Sequence, residues 1–179
     1  MKIVSGNSME TFTFTIDMFA DIIPMVEKGM NMPQNPKYHP EGNVFNHSIQ
    51  CVNWALRETI DTDLILAALL HDVGKSYVDI DSFERGRHPQ IGASLTRDFT
   101  SARTNYLIEH HMRVWSWILG EMRKLKKVQE VASDGMLPDL MALGRFDKMA
   151  RNPNIVHTWF DWEKFVDKLN KKALERWNL

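Results

Sequence analysis

Apolar residues recur along most of this chain at the three- and four-residue spacing of amphipathic helices. The strongest run is Leu64–Leu70, apolar at every position. A run without a polar face predicts a helix buried on all sides. It ends in His71-Asp72, with Gly74 and Lys75 just beyond, and Asp61 or Thr62 is placed to cap its start. Gly74 is expected to take the left-handed conformation that stops a helix. Upstream, Val44, His47 and Cys51 share one side of a predicted helix over 44–58, with Val52, Ala55 and Leu56 close by. Downstream, His88-Pro89 opens a helix that runs through Leu95 to Phe99, with small Gly92 and Ala93 permitting close backbone approach. Ser101 caps another, expected to pack Tyr106-Leu107-Ile108 inward and to end at Glu109-His110-His111. Met136-Leu137-Pro138 starts a helix through Leu143, Phe146 and Ala150, with Asp147 on or near its buried face. Trp162, Phe165, Val166, Leu169 and Ala173 make a last helix, within 159–176, packed on the outside.

The remaining stretches add little regular structure. Phe12, Phe14 and Ile16 alternate with Thr11, Thr13 and Thr15, which reads locally as a strand without a partner. From Asp17 a helix is predicted over 17–29, kinked or restarted at Pro24 and ended at Gly29. Residues 30–42, with Pro33, Pro36, Pro40 and Gly42, predict a loop, as do residues 76–87. The expected fold class is therefore all-α: one helical bundle over 1–179, with its core at 39–151 and the two outer helices packed on it.

Composition narrows the function classes. The 22 basic and 23 acidic residues nearly cancel, which removes any global electrostatic case for nucleic-acid or membrane binding. One cysteine, Cys51, rules out an intrachain disulfide and suggests a reducing compartment. With no signal peptide and no apolar run near ~20 residues, the expectation is a cytoplasmic protein without membrane partners. Trp115, Trp117, Ile118 and Leu119 read as a core plug or a pocket wall, with the core preferred.

Asp72 carries the candidate chemistry. A carboxylate at the end of so apolar a run must be paired, protonated or metal-bound, because burying an unpaired charge is costly. Imidazole and carboxylate together suit a divalent transition metal. His47, His71-Asp72 and Asp147 lie on three predicted helices, each on or beside an apolar face, and a helical bundle can bring such groups to one internal point. His88, His110 and His111 add nitrogen ligands between them. Taken singly, each of these has an ordinary structural reading: His47 a core histidine, His88 an N-cap, Asp147 a surface carboxylate paired with Lys148 or Arg151. Lys75 is placed to meet an anionic substrate. Arg87, Arg113 and Arg145 are weaker phosphate-binding candidates, since arginine forks onto phosphate oxygens.

This order of residues resembles the HD-domain superfamily of all-helical, metal-dependent phosphohydrolases. Its motif is a histidine, a later His-Asp pair and a distant aspartate, matched by His47, His71, Asp72 and Asp147. A closer similarity is to the HD domain attached to some bacterial CCA-adding tRNA nucleotidyltransferases. It covers roughly residues 39–151, through His39-Pro40-Glu41-Gly42-Asn43-Val44-Phe45-Asn46-His47, Leu69-Leu70-His71-Asp72-Val73-Gly74-Lys75, Arg87-His88-Pro89-Gln90-Ile91-Gly92-Ala93, Glu109-His110-His111, and Asp147 to Arg151. No stretch resembles the nucleotidyltransferase head, so nucleotide addition is not expected. The resemblance implies a phosphatase, 2'-nucleotidase or 2',3'-cyclic phosphodiesterase that acts on a phosphorylated small molecule, a nucleotide or an RNA end. The cofactor would be Mn, Fe, Co, Ni or Zn, as one or two ions. His47, His71, Asp72 and Asp147 would hold the metal, and Asp72 would also orient or deprotonate the attacking water. His88 with His110 or His111 would hold a second ion or contact the leaving group, and His111 matches the pattern better. The alternatives are a deoxynucleoside triphosphate triphosphohydrolase, a di-iron oxygenase and a non-catalytic metal-binding module.

Overall fold

A computed structural model of the protein describes residues 13–78, 86–118 and 125–177. Its helices are α1 (Ile22–Glu27), α2 (Val44–Glu58), α3 (Thr62–Leu70), α4 (His88–Thr96), α5 (Ala102–Ile118), α6 (Leu125–Ala132), α7 (Leu137–Met149) and α8 (Trp162–Trp177). No strand forms among the described residues, and the one isolated bridge pairs Pro33 with Asn43. The all-α bundle is thus the architecture.

α3 is its axis. Every residue from Thr62 to Leu70 is buried, as a helix apolar all round requires. α2, α5 and α7 pack around it. Its start is anchored by charge. Asp61 accepts from the backbone N–H groups of Asp63 and Leu64, and Arg103 on α5 donates to both Asp61 oxygens and to Asp139 on α7. Buried Asp63 accepts from the hydroxyls of Ser101 and Thr104, so its charge is not left unpaired. These bonds tie the first turn of α3 to α5 and α7, and the last turn then delivers His71 to a fixed point.

Past His71 the chain turns through Asp72 into a 3-10 helix, Val73–Tyr77. Gly74 is not left-handed there; among the described residues the glycine with positive φ is Gly42, at 106°. What Gly74 provides is room. A Cβ on it would lie 2.1 Å from the His88 carbonyl oxygen and 2.7 Å from the Gly92 nitrogen. The missing side chain lets the turn after His71-Asp72 press against the first turn of α4, bringing His88 to Asp72.

Three further expectations change. The alternating stretch is no strand: the chain enters a 3-10 helix at Ile16, and the Asn170 side chain on α8 both accepts from Phe14 N–H and donates to Phe14 C=O. One amide supplies the two bonds a neighbouring strand would; Thr11 and Phe12 lie outside the described residues, as does most of the 76–87 loop. The 17–29 helix is divided into a 3-10 turn, the short α1 and a second 3-10 turn, Lys28–Asn31. α5 does not end at Glu109-His110-His111 but continues to Ile118, so these histidines are mid-helix.

Candidate metal centre

α2, α3, α4, α5 and α7 each bring one buried ligand-type side chain to the same region. His47 comes from α2, His71 from the end of α3, His88 from the start of α4, His111 from α5 and Asp147 from α7; all are buried, as is Asp72 beside His71. They form two groups. One donor atom each from His47, His71 and Asp147 lie within 4.8 Å of one another, and so do those from Asp72, His88 and His111.

Asp72 sits between the groups. Its Oδ2 is 3.5 Å from His71 Nε2 and 3.7 Å from His47 Nε2. Its Oδ1 is 3.2 Å from His88 Nε2 and 3.6 Å from His111 Nε2. Asp147 Oδ1 lies 3.2 Å from His47 Nε2.

The imidazoles are held in a ligand-ready form. His71 Nδ1 bonds the Ala68 carbonyl at 3.0 Å, and His111 Nδ1 bonds the Ile108 carbonyl at 2.8 Å. A carbonyl only accepts, so Nδ1 donates in both, and Nε2 is turned inward. Glu41 Oε1 lies 2.6 Å from His47 Nδ1 and holds that side of the ring by charge. Both ring nitrogens of His47 and Nε2 of His71 are buried without a well-aligned hydrogen-bond partner. Orphaned inward nitrogens beside two carboxylates fit a bound divalent cation, which would satisfy them together.

The electrostatics agree with that fit. Burial would lower the His47 pKa, but Asp147 and Glu41 outweigh it and raise it to about 9. The field that draws a proton to this site is one that draws a metal ion. Burial would raise Asp72, yet Lys75 and His71 hold it well below the usual carboxylate range. Asp147 is likewise depressed, because His47 overcomes its burial. Glu41, between His39 and His47, falls to about 2 despite burial. All three carboxylates are therefore anionic at neutral pH.

A cavity of about 580 Å³ opens onto the site, lined by Asp72, Lys75, His88, His111, Asp147 and Arg151 among others. Lys75 Nζ donates to Asp72 Oδ2 at 2.6 Å and to Gln34 Oε1 at 2.9 Å, on the cavity wall. The remaining candidates lie elsewhere. His110 is one position, about 100°, round α5 from His111, and its ring packs edge-on against Tyr106. Arg113 is exposed, 3.9 Å from Asp134, and Arg145 is exposed and pairs with Glu58 at 3.0 Å. Each is two positions from a site residue, about 200° round its helix, so it points away. Arg87 is exposed at the N-cap of α4 and does not line the cavity.

Three supporting residues were not among the candidate site residues. Glu41 orients His47. Trp115 Nε1 donates to Asp147 Oδ2 at 2.8 Å, making Trp115 a site wall and not a core plug. Arg151 Nη2 donates to Asp147 Oδ1 at 2.9 Å, one turn along from it. The Asp147–Arg151 spacing is the one signal that was legible, and it reads equally as a surface pair.

Comparison with known proteins places this geometry in context. Residues 44–151, more than half of the chain, match the HD domain family. The chain is also similar to proteins named Multifunctional CCA protein. That of Thioalkalivibrio sulfidiphilus is 37% identical over 62 residues, covering 35% of this chain and 15% of the relative. That of Halorhodospira halophila is 33% identical over 70 residues, covering 39% and 16%. That of Hahella chejuensis is 30% identical over 81 residues, covering 45% and 19%. The chain thus spans less than a fifth of the length of these relatives.

Proposed function

The chain belongs to the HD domain family, generally metal-dependent hydrolases of phosphate esters, and on that premise we propose a phosphohydrolase acting on a nucleotide or the phosphorylated end of an RNA. The reaction would be of the phosphatase, 2'-nucleotidase or 2',3'-cyclic phosphodiesterase type. The observation that carries this is the Asp72 carboxylate, with one oxygen facing His47 and His71 and the other facing His88 and His111. His47, His71, Asp72 and Asp147 would hold one divalent ion, and Asp72, His88 and His111 a second. When bound, such ions supply Lewis acidity toward phosphoryl oxygens and make a water acidic enough to attack phosphorus.

The chain's own groups do the rest. Lys75 places a positive charge on the cavity wall, where it offsets phosphate charge. Asp72 would orient or deprotonate the attacking water. Trp115 and Arg151 fix the Asp147 carboxylate, and Glu41 fixes His47.

The test is a panel of phosphomonoesters, 2',3'-cyclic nucleotides and nucleoside triphosphates, screened with Mn, Fe, Co, Ni and Zn. The expected products are orthophosphate or an opened cyclic phosphate, lost on chelation and in Asp72→Asn. Release of intact triphosphate, or no metal-dependent hydrolysis of any member, contradicts the reading.

A further inference from the structure

A second cationic surface lies away from the metal centre. Between α2 and α8 run two adjoining cavities of about 240 and 280 Å³ that share Asn53, Leu56 and Lys168. Together they form one groove. The α2 side carries Ile49, Asn53 and Leu56, roughly 180–240° round the helix from His47. The groove therefore lies on the opposite flank of α2 from the metal ligands.

Five cationic side chains line it, Arg57, Lys164, Lys168, Lys171 and Lys172, against two carboxylates. Both carboxylates are already committed. Asp161 caps α8 by accepting from Lys164 N–H, and Glu175 pairs with Lys172 at 3.3 Å. Among the described residues, Arg57, Lys164, Lys168 and Lys171 enter no ion pair. The three lysines recur once per turn, so their ammonium groups stand in a row along the groove. At one end lies Trp159, 68% exposed, a large flat ring held in the water on a loop.

We propose that this groove binds single-stranded nucleic acid, with phosphates along the Lys164–Lys168–Lys171 row and a base stacked on Trp159. A single strand offers both partners the surface asks for: regularly spaced negative charge and flat apolar rings. An acidic peptide matches the lysines alone and leaves Trp159 in water. A short chain segment separates one end of the groove from the cavity at the metal centre. Arg151 lines the catalytic cavity and Val156 lines the groove, five residues apart, a span of at most roughly 17 Å. The chain between them is clamped to α2: Gln50 Nε2 donates to the Asn152 and Ile155 carbonyls, and Asn46 Nδ2 donates to the Ile155 carbonyl. A strand leaving the groove at this edge reaches the cavity mouth. α8 and Trp159 lie outside the segment that matches the HD domain family, while the α2 wall of the groove lies within it.

The test is fluorescence anisotropy of a labelled oligouridylate of roughly 10 nucleotides, titrated with the full chain at several salt concentrations. Wild type binds with a salt-dependent affinity. The variant Lys164→Glu/Lys168→Glu/Lys171→Glu loses more than tenfold in affinity, and its log–log salt slope falls by about two, near 0.7 per phosphate contact. Trp159→Ala weakens binding about tenfold with the slope unchanged, as loss of one stacked base does. Far-UV circular dichroism confirms that the variants fold. Hydrolysis of a small phosphomonoester, measured beside it, stays at the wild-type level in both, so failure of the groove and failure of the hydrolase reading are separate results. Absence of salt-dependent binding by wild type, wild-type affinity in the triple variant, or equal competition by polyglutamate of matched charge overturns the proposal.

Discussion

Asp72 Oδ1 lies 3.2 Å from His88 Nε2, while the other oxygen of the same carboxylate faces His47 and His71. One short side chain thus joins two donor sets that come from five helices. The placement depends on two local facts. α3 is buried throughout, so its end cannot wander, and the turn after it packs directly on the α4 backbone at Gly74.

Gly74 gives the first prediction. In Gly74→Ala the new methyl meets the His88 carbonyl oxygen, a backbone atom with no rotamer to escape into. The turn and α4 must separate. Thermal denaturation is expected to show a loss of about 2–3 kcal/mol, in the range of overpacked cores. Metal affinity falls with it, because His88 retreats from Asp72. Unchanged stability would mean that the close approach is not needed.

Glu41 gives the second. Glu41→Gln keeps the shape but removes the charge 2.6 Å from His47 Nδ1. The His47 ring loses part of its basicity. Metal affinity, measured by competition with a chromogenic chelator, is expected to drop about 10–100-fold, and the melting temperature in the absence of metal falls too, because a carboxyl depressed on folding stabilises the fold at neutral pH.

Much of the architecture was legible because it rests on the hydrophobic effect alone. A seven-residue apolar run, Leu64–Leu70, had to be buried, and a His-Asp pair at its end had to find partners. His47 and Asp147 showed as polar residues on otherwise apolar faces. The illegible parts act across sequence distance. Nothing near Trp115 tells that its indole nitrogen bonds a carboxylate 32 positions on. Glu41 lies in a proline-rich stretch that reads only as a loop. The polar cluster Glu109-His110-His111 looks like a helix end, yet only His111 faces inward and the helix runs on to Ile118. Phe14 alternates like a strand residue because it is half of a pairing, but its partner is the Asn170 side chain.

Trp115 gives the third prediction. Trp115→Phe retains an aromatic wall and deletes the donor to Asp147 Oδ2. The carboxylate keeps Arg151 and loses its second restraint. Catalytic efficiency is expected to fall about 10–100-fold, the cost typical of losing an outer partner of a ligand. A fall confined to KM would instead assign Trp115 to substrate binding.

The fourth concerns pH. Burial would raise Asp61, but Arg103 outweighs it and holds the carboxyl below its ordinary value. A carboxyl depressed on folding contributes stability that is fully present above its unfolded pKa of about 3.9 and is lost as pH falls through the folded pKa. In Arg103→Met the depression is relieved. The variant should be less stable at pH 7 by about 1–2 kcal/mol, a partly exposed, multiply bonded pair. The gap from wild type should narrow as pH drops below about 4. Urea denaturation across that window measures it, and a constant gap would show that the bonds, not the charge, hold the start of α3.

The central claim is that Asp72 stands between two metal positions. Anomalous diffraction at the manganese edge, from crystals grown with Mn²⁺, tests it directly. Two peaks are expected to flank the Asp72 carboxylate, one ringed by His47, His71 and Asp147, the other by His88 and His111. A lone peak remote from Asp72, or none in a protein that still hydrolyses phosphate esters, contradicts it.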